Sequence, residues 1–434
     1  MPGEAAVGIA LIGVSVVLVA GGLWIAFGLA AIGLLAIWFF LPPMMINRMV
    51  EIIPYNTLDD FILAAIPMFI FMGALLFKGD IASKIYRGLS NWVSLLPGGL
   101  LQTNVVACAI FGACSGSSLA GAATMGSMAV KELRGQGYEK TIVYGSLASA
   151  GTLATMIPPS ILFILYGAFA GVSVGQLFIA GIVPGLVLTG LFMVYILIRA
   201  LLQPDIAPRP PVPTLRAVLA SLSTLAGPIF LIVAVMGSIY SGIATPTESA
   251  AVGSVGAMLI LLVERRLTLR ILIGAARMAV RTTCMIALMM VGTQFISVAL
   301  SVLQIPASIA GWIAEQPLEP WMVAVLVGVF YIVLGALIEG TSMFFLTFPV
   351  IFPVMMSIGY DPIWFGVIMA LFIEMSLITP PVGLNLFIIQ QISRERGTGA
   401  VIRGSMPFFL LMVLALAIFI AFPGLVLWLP NLLW

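Results

Sequence analysis

The stretch GACSGSS, Gly112 to Ser118, places seven small or polar residues between two long apolar segments. Glycine lowers helix propensity and tolerates positive φ, and serine hydroxyls compete with the backbone for hydrogen bonds, so we expect the helix to break here. Inside a bilayer an unpaired amide costs several kcal/mol, so such a break persists only where protein buries it or where it lines a wet cavity. The stretch predicts either the tip of a re-entrant helical hairpin or a small-residue face for helix packing.

The composition is that of a polytopic helical membrane protein. Of 434 residues, 62% are hydrophobic and 8% are charged, whereas a soluble domain has about 25% charged residues. Apolar runs of about 17 to 25 residues, long enough to cross a hydrocarbon core of about 30 Å, recur along the chain. The N-terminus, MPGEAAVGIA, lacks the basic region of a signal peptide, and we expect it to be retained.

Histidine and cysteine usage limits the chemistry. The chain has no histidine, and its three cysteines, Cys108, Cys114 and Cys284, fall inside or beside apolar runs. This pattern excludes ordinary haem ligation, iron–sulfur clusters and histidine proton relays. We interpret the cysteines as small buried hydrophobic residues and expect no cofactor. A formal charge of +2 gives no indication of a nucleic-acid partner.

Two short apolar limbs flank the GACSGSS stretch, Leu100 to Phe111 and Leu119 to Val130. Because each limb is too short for a comfortable crossing, the chain should enter and leave the membrane on the same side. An amphipathic segment, Lys78 to Leu96, precedes them and suits either the membrane interface or a loop helix. The next span, Thr141 to Ala170, is broken by Met156-Ile157-Pro158-Pro159-Ser160, where two prolines remove amide donors and free carbonyl groups.

The second half of the chain repeats the first. Gly137 to Ser160 aligns with Gly359 to Val382 without a gap, and both segments run from a Gly-Tyr-acid turn to a double proline at the same spacing. The GACSGSS tip has its counterpart in GALIEGTS, Gly335 to Ser342. We infer an internal duplication with a second hairpin and a second broken helix.

The basic residues give each copy an orientation. Of the 18 lysines and arginines, 17 fall in five clusters, at 78–87, 131–140, 199–216, 265–281 and 394–403. The positive-inside rule makes these clusters cytoplasmic, so the first hairpin opens from the cytoplasm and the second from the opposite side. The sequence therefore predicts an all-α polytopic membrane protein with an inverted repeat, two re-entrant hairpins and two broken transmembrane helices, as in alternating-access transporters.

The tips and breaks offer hydroxyl and carbonyl oxygens, which suit a monovalent cation, and half-helix N-termini, which attract an anionic group. Neither Thr141 to Ile198 nor Thr282 to Ser393 contains a lysine or arginine. An anionic substrate would therefore need co-bound cations, which makes sodium coupling physically reasonable.

Three glutamates at membrane depth are candidates for function. Glu339, just before the second tip, suits either a cation ligand or a hydrogen bond to the hairpin backbone. We interpret Glu374 as structural, and Glu248, beside Thr245 and Thr247, as a helix cap.

Six motifs, spread over nearly the whole chain, resemble those of the large membrane subunit of tripartite ATP-independent periplasmic (TRAP) transporters. They are AIPMFIFMG (Ala65 to Gly73), LPGGL (Leu96 to Leu100), SGSSLAGAA (Ser115 to Ala123), IPPSI (Ile157 to Ile161), GIATPTESAAVG (Gly242 to Gly253) and ITPPVGLNLF (Ile378 to Phe387).

This resemblance implies a sodium-coupled elevator importer of small organic anions, typically carboxylates, in the bacterial inner membrane and among its lipids. It also implies two partners, a small four-helix membrane subunit and a periplasmic substrate-binding protein. A stand-alone sodium/carboxylate symporter without a binding protein is the alternative. A membrane enzyme or respiratory-complex subunit fits poorly, because histidine, clustered cysteines and intramembrane lysines are absent.

The resemblance also divides the chain and assigns sites. Residues 1–97 would hold N-terminal scaffold helices, a connection from Pro42 to Asp60 and the first arm; 98–199 the first repeat; 200–303 a linker and scaffold helices; and 304–434 the second repeat. The sodium ligands it implies are Ser115, Gly116, Ser118 and Met156 at one tip and Glu339, Gly340, Thr341, Thr379 and Pro380 at the other. The substrate-binding residues we predict at the tips and breaks are Ser117, Ser118, Pro158, Pro159, Thr341 and Ser342. Gly383 is added because it permits close backbone approach, and Asn385 because its polar side chain suits either the cavity lining or a bond between helices.

Overall fold

The computed structural model describes residues 10–11, 13–18, 21–208 and 213–433, and within them the regular elements are all helices. The all-α prediction is confirmed. Seven of these described helices are long and apolar enough to cross a membrane, and a bent helix pair gives an eighth span. Residues 1–9 of the N-terminal decapeptide and residues 12, 19 and 20 of the first apolar run lie outside the described residues.

Within the described residues we number the helices in chain order. They are α1 (Ile25–Phe40), α2 (Pro43–Leu58), α3 (Ala65–Lys78), α4 (Ile81–Val93), α5 (Leu100–Ser115), α6 (Ser118–Gly135), α7 (Lys140–Met156), α8 (Ile161–Ala170), α9 (Val174–Leu202), α10 (Leu215–Tyr240), α11 (Pro246–Val263), α12 (Leu269–Val302), α13 (Ile305–Ala314), α14 (Pro320–Gly335), α15 (Gly340–Ser357), α16 (Pro362–Ser376), α17 (Leu384–Ser393), α18 (Gly399–Ala421) and α19 (Gly424–Leu433).

Two predicted boundaries differ from the structure. The predicted connection Pro42 to Asp60 is largely the helix α2, which Pro43 can begin because the first helical residue needs no amide donor. The predicted tip is also shorter, because α5 continues to Ser115. A Cβ atom on Gly112 would lie 2.3 Å from the Cα atom of Ala154 on α7, so this glycine allows close helix packing and does not break α5.

The helix boundaries repeat in the register seen in the sequence. Helix α6 runs from Ser118 to Gly135 and α15 from Gly340 to Ser357, so both have 18 residues and occupy equivalent positions in the two copies. Helices α7 and α16 also begin at equivalent positions. The predicted break at the first double proline is confirmed, since α7 and α8 meet there at a 42° bend.

The two broken helices form the centre of the protein. Every residue from Ile142 to Met156 in α7 and from Ile363 to Ser376 in α16 is buried. Helices α5, α6 and α18 pack around α7, while α12 packs against α1, α3 and α15. Because other helices enclose α7 and α16, the breaks that follow them are held inside the protein, where irregular backbone is tolerated in a membrane protein.

The predicted amphipathic segment is confirmed as α4, which buries Ile81, Ile85 and Leu89 on one face. Its polar face carries Lys84, whose Nζ lies 2.7 Å from the carboxylate of Glu264 after α11. Helix α4 therefore contacts the hairpin helix α5 through apolar packing and the α11–α12 connection through charge.

Candidate functional site

The first hairpin turns at Gly116 and Ser117. Gly116 has a φ of 61°, and a Cβ atom there would lie 3.0 Å from the carbonyl oxygen of Pro159, so this tip rests on the first break. Ser117 is the N-cap of α6, and its hydroxyl oxygen accepts a hydrogen bond from the amide of Ala120 at 3.4 Å. The re-entrant hairpin interpretation requires such a sharp turn next to a second broken element, and the structure contains both.

The second hairpin turns between α14 and α15, where Glu339 is the N-cap of α15. Its two carboxylate oxygens accept hydrogen bonds from the amides of Thr341 and Ser342, both at 2.9 Å. Glu339 and Ser117 occupy equivalent positions in the two repeats and cap equivalent helices. The structural alternative for Glu339, a hydrogen bond to the hairpin backbone, is thus realised, and its carboxylate charge faces a helix N-terminus, where it is stabilised.

The second break, Leu377 to Gly383, rests against the second tip. The backbone amide of Val382 donates to the carbonyl oxygen of Ala336 at 3.4 Å. The backbone amide of Asn385 donates to the carbonyl oxygen of Leu377 at 3.1 Å. Each tip is therefore seated on the broken helix of its own repeat, as the sequence predicts.

A cavity of about 420 Å³ lies where the two tips meet. Its lining combines both tips, the ends of both broken helices and one face of α12. The residues are Gly116, Ser117, Ser118, Leu119, Thr155, Ile161, Leu162, Leu165, Thr282, Met285, Ile286, Met289, Glu339, Gly340, Thr341, Ile373, Glu374 and Leu377. Among the described residues, this lining holds two carboxylates and five hydroxyl groups but no lysine or arginine.

Asn385 joins the two repeats beside this cavity. Its Nδ2 donates to the hydroxyl oxygen of Ser118 and to the carbonyl oxygen of Ala148, both at 3.0 Å. Ser118 begins α6 in the first repeat, whereas Asn385 follows the second break. The position of the first tip is thus fixed in part by a residue of the other repeat.

Six of the residues predicted for the site line the cavity: Gly116, Ser117, Ser118, Glu339, Gly340 and Thr341. The other predicted residues lie outside this lining: Ser115, Met156, Pro158, Pro159, Ser342, Thr379, Pro380, Gly383 and Asn385. Ser342 lines a smaller cavity of about 210 Å³ between α1 and α12, and the Thr379 hydroxyl donates to the carbonyl oxygen of Met375 at 2.7 Å.

Several lining residues have no signal in the sequence. Thr155 is adjacent to a predicted ligand, Met156, but nothing distinguishes its hydroxyl from the other hydroxyls of α7. Thr282, Met285 and Met289 belong to α12, and only tertiary packing brings that helix to the tips. Glu374, interpreted from sequence as structural, also lines the cavity.

The predicted cap at Glu248 is confirmed. Its carboxylate accepts from the amide of Thr245 at 2.8 Å, and the hydroxyl of Thr245 accepts from the amide of Glu248 at 3.3 Å. This capping box begins α11. Glu248 is therefore part of the helix end and does not line the cavity.

Comparison with known proteins gives a consistent assignment. The family model of the DctM component of tripartite ATP-independent periplasmic transporters matches residues 12–425. The C4-dicarboxylate TRAP transporter large permease protein DctM of Pseudomonas aeruginosa is 37% identical over 404 residues, which cover 92% of each chain. The 2,3-diketo-L-gulonate TRAP transporter large permease protein YiaN of Escherichia coli is 30% identical over 413 residues, covering 94% of this chain and 95% of YiaN.

A solved structure shares the fold. The YdaH transporter of Alcanivorax borkumensis, described as having an unusual topology, superimposes with a TM-score of 0.63 at 16% identity, covering 89% of this chain and 90% of YdaH. The helices, the motifs and the near full-length match agree, and the chain belongs to the DctM family as a TRAP transporter large permease, a multi-pass inner-membrane protein and not an enzyme.

Proposed function

We propose that this permease imports a small organic anion, typically a carboxylate, together with sodium ions. The observation that carries the proposal is the cavity between the two tips, where hydroxyl groups and the carboxylates of Glu339 and Glu374 occur without a lysine or arginine among the described lining residues. An anion placed in this lining needs mobile positive charge. Sodium ions bound at the tips would supply that charge and would couple uptake to the sodium gradient.

The backbone around the cavity suits this role. Helix α6 begins at the first tip, and its N-terminus favours an anionic group, whereas the N-terminus of α15 already holds the carboxylate of Glu339. Carbonyl oxygens of interrupted helices, such as those next to Pro159 and Pro380, are the kind of ligand that a monovalent cation uses. We therefore keep the two predicted sodium sites, one at each tip, as part of the proposal.

Movement is proposed to follow an elevator mechanism. In this mechanism the two hairpins and the two broken helices carry the site across the membrane against a scaffold that includes α12. The cavity supports it, because hairpin residues such as Ser117 and Thr341 line it together with Met285 and Met289 of α12, whose side chains make the scaffold side of this boundary apolar. Apolar side chains make few directional contacts, so such a boundary permits sliding.

Two partners are part of the proposal: a small membrane subunit and a periplasmic binding protein that delivers the substrate. The names of relatives support an anionic substrate, since they are permeases for C4-dicarboxylates, sialic acid and 2,3-diketo-L-gulonate. The membrane potential contributes about 2.3 kcal/mol per net charge per 100 mV, so two or more sodium ions with a monoanion would make uptake electrogenic.

Uptake of a carboxylate panel into proteoliposomes tests the proposal. The vesicles would contain this chain with its small partner, with and without a sodium gradient and a candidate binding protein. Uptake that needs both sodium and the binding protein is the expected result. Uptake with sodium alone would identify a stand-alone symporter, and uptake without sodium would contradict the coupling.

A further inference from the structure

Glu374 is a buried carboxylate that lacks a partner for one of its oxygens within the described part of the chain. Its side chain is 1% exposed, yet it lines the cavity between the tips. The oxygen concerned is Oε2, for which the described residues supply no hydrogen-bond partner. An isolated buried carboxylate is strongly unfavourable, so such a group either is protonated or has a charge of opposite sign or a set of donors beside it.

Three N-cap carboxylates of the repeats differ from Glu374 in this respect. Glu339 receives two backbone amide hydrogen bonds, and so do Glu139 and Asp361, the N-caps of α7 and α16. Each of them also lies at the positive end of a helix. Glu374 instead lies in the last turn of α16, where the helix dipole is negative and destabilises an additional negative charge.

Oxygen atoms surround the Glu374 carboxylate. The hydroxyls of Thr155 and Ser118 lie beside it, and Thr155 is itself in the last turn of α7, a second negative helix end. The hydroxyl oxygen of Ser118 already accepts the amide hydrogen of Asn385. Two helix C-termini, one carboxylate and two hydroxyls thus converge on one side of the cavity.

No cationic side chain of the described residues lines this cavity, and the carboxylate of Glu339, on the same lining, adds a repulsive charge. We propose that Glu374, together with the hydroxyl of Thr155, binds a further sodium ion next to the ion assigned to the first tip, with which it shares the hydroxyl of Ser118. The inference rests on the proposed sodium coupling. Its consequence is that each transport cycle moves one more positive charge than the tip sites alone would carry.

Two measurements on the full chain test this site. The first is the thermal unfolding midpoint of the purified protein as a function of sodium chloride, with choline chloride keeping the ionic strength constant; binding to the folded state raises the midpoint. The second is the number of charges moved per substrate in proteoliposomes with both partners. Glu374→Gln keeps the shape and removes the charge, while Glu315→Gln makes the same change at an exposed site just after α13.

We expect Glu374→Gln to raise the half-saturating sodium concentration by about tenfold or more and to lower the transported charge by one. Glu315→Gln should match the wild type in both assays. If Glu374→Gln folds and keeps the wild-type sodium dependence and charge ratio, the proposed site does not exist, while sodium coupling at the tips stands.

Thr155→Val provides an independent variant if Glu374→Gln does not fold. It removes one hydroxyl oxygen, keeps the side-chain volume nearly unchanged and should weaken sodium binding in the same direction. Wild-type sodium affinity in Thr155→Val would contradict the site. A wild-type protein that responds to sodium in neither assay would overturn the coupling proposal itself and this inference with it.

Discussion

The side chain of Asn385 donates to the hydroxyl oxygen of Ser118, which lies in the other repeat, with Nδ2 and Oγ 3.0 Å apart. Both side chains are buried, and Asn385 donates a second hydrogen bond to the carbonyl oxygen of Ala148 in α7. The first hairpin tip, the first broken helix and the second broken helix are therefore joined at one amide group.

We expect Asn385→Leu to destabilise the protein by about 1 to 3 kcal/mol, because the buried hydroxyl of Ser118 and the carbonyl of Ala148 lose their donor. Substrate uptake should fall more than stability alone explains, since the first tip loses its fixed position. Gln390→Leu, on the same helix at a half-buried position, is the control and should change both properties little. The thermal unfolding midpoint and the uptake rate are measured for both variants. Equal stability of the two variants would contradict the role of Asn385.

The close packing of the first hairpin against α7 gives a second prediction. A Cβ atom on Gly112 would lie 2.3 Å from the Cα atom of Ala154 and 2.7 Å from its Cβ atom. Gly112→Ala must therefore push α5 away from α7, and we expect a cost of about 1 to 3 kcal/mol and a loss of uptake.

Gly190→Ala in α9 is the matched control, because an added Cβ there meets nothing within 4 Å. Replacing this helical glycine should leave the protein as stable or stabilise it by up to about 1 kcal/mol. The thermal unfolding midpoint should fall for Gly112→Ala and should stay unchanged or rise for Gly190→Ala. A Gly112→Ala variant as stable as Gly190→Ala would show that the hairpin does not pack on α7 as described.

Much of this architecture could be predicted because membrane breaks have strong sequence signals. Two adjacent prolines within an apolar run locate the end of α7 at Met156, and the Gly-Ser stretch locates the turn at Gly116. The bounds of the tip could not be predicted, since Gly112 looks like a helix breaker in sequence. Only the tertiary contact with Ala154 shows that it is a packing residue.

The cavity could be predicted in part for the same reason. Tip residues such as Ser117 and Thr341 follow from the breaks, but Met285 and Met289 do not, because any face of an apolar helix can face lipid or protein. The sequence alone shows that Glu374 is an acidic residue within an apolar run. Its exposure to the cavity depends on the rotation of α16 in the folded protein, about which a uniformly apolar helix carries no periodic signal.

The N-cap of α7 gives a pH-dependent prediction. Burial raises the pKa of Glu139, but hydrogen bonds from Thr141 and Ile142 and the charge of Arg134 outweigh it. The pKa of Glu139 is therefore lowered below its ordinary value. The stabilisation is fully present above the ordinary carboxyl pKa of about 4.3 and is lost as the pH falls through the lower, folded-state pKa.

Glu139→Gln should therefore lower stability at neutral pH by about 1 kcal/mol, the usual scale of an N-cap, and the difference from wild type should shrink below about pH 4. Glu319→Gln is the control, because Glu319 is the N-cap of α14 but its side chain makes no capping hydrogen bond. The unfolding midpoint of each variant is measured between about pH 3.5 and about pH 8, a range that includes the ordinary carboxyl pKa. A difference for Glu139→Gln that grows as the pH falls would contradict the sign.

The inverted orientation that the basic clusters predict for the two repeats would place equivalent turns on opposite sides of the membrane. Gln136 follows α6, Ser357 ends α15, and both residues are exposed. In a variant whose native cysteines are replaced by alanine, Gln136→Cys should react with a membrane-impermeant maleimide only after the cells are opened. Ser357→Cys should react in intact cells from the periplasmic side, because the charge distribution places only the first turn in the cytoplasm.

Labelling of both positions from the same side would mean that the copies are parallel, and the alternating-access argument from inverted symmetry would then fail.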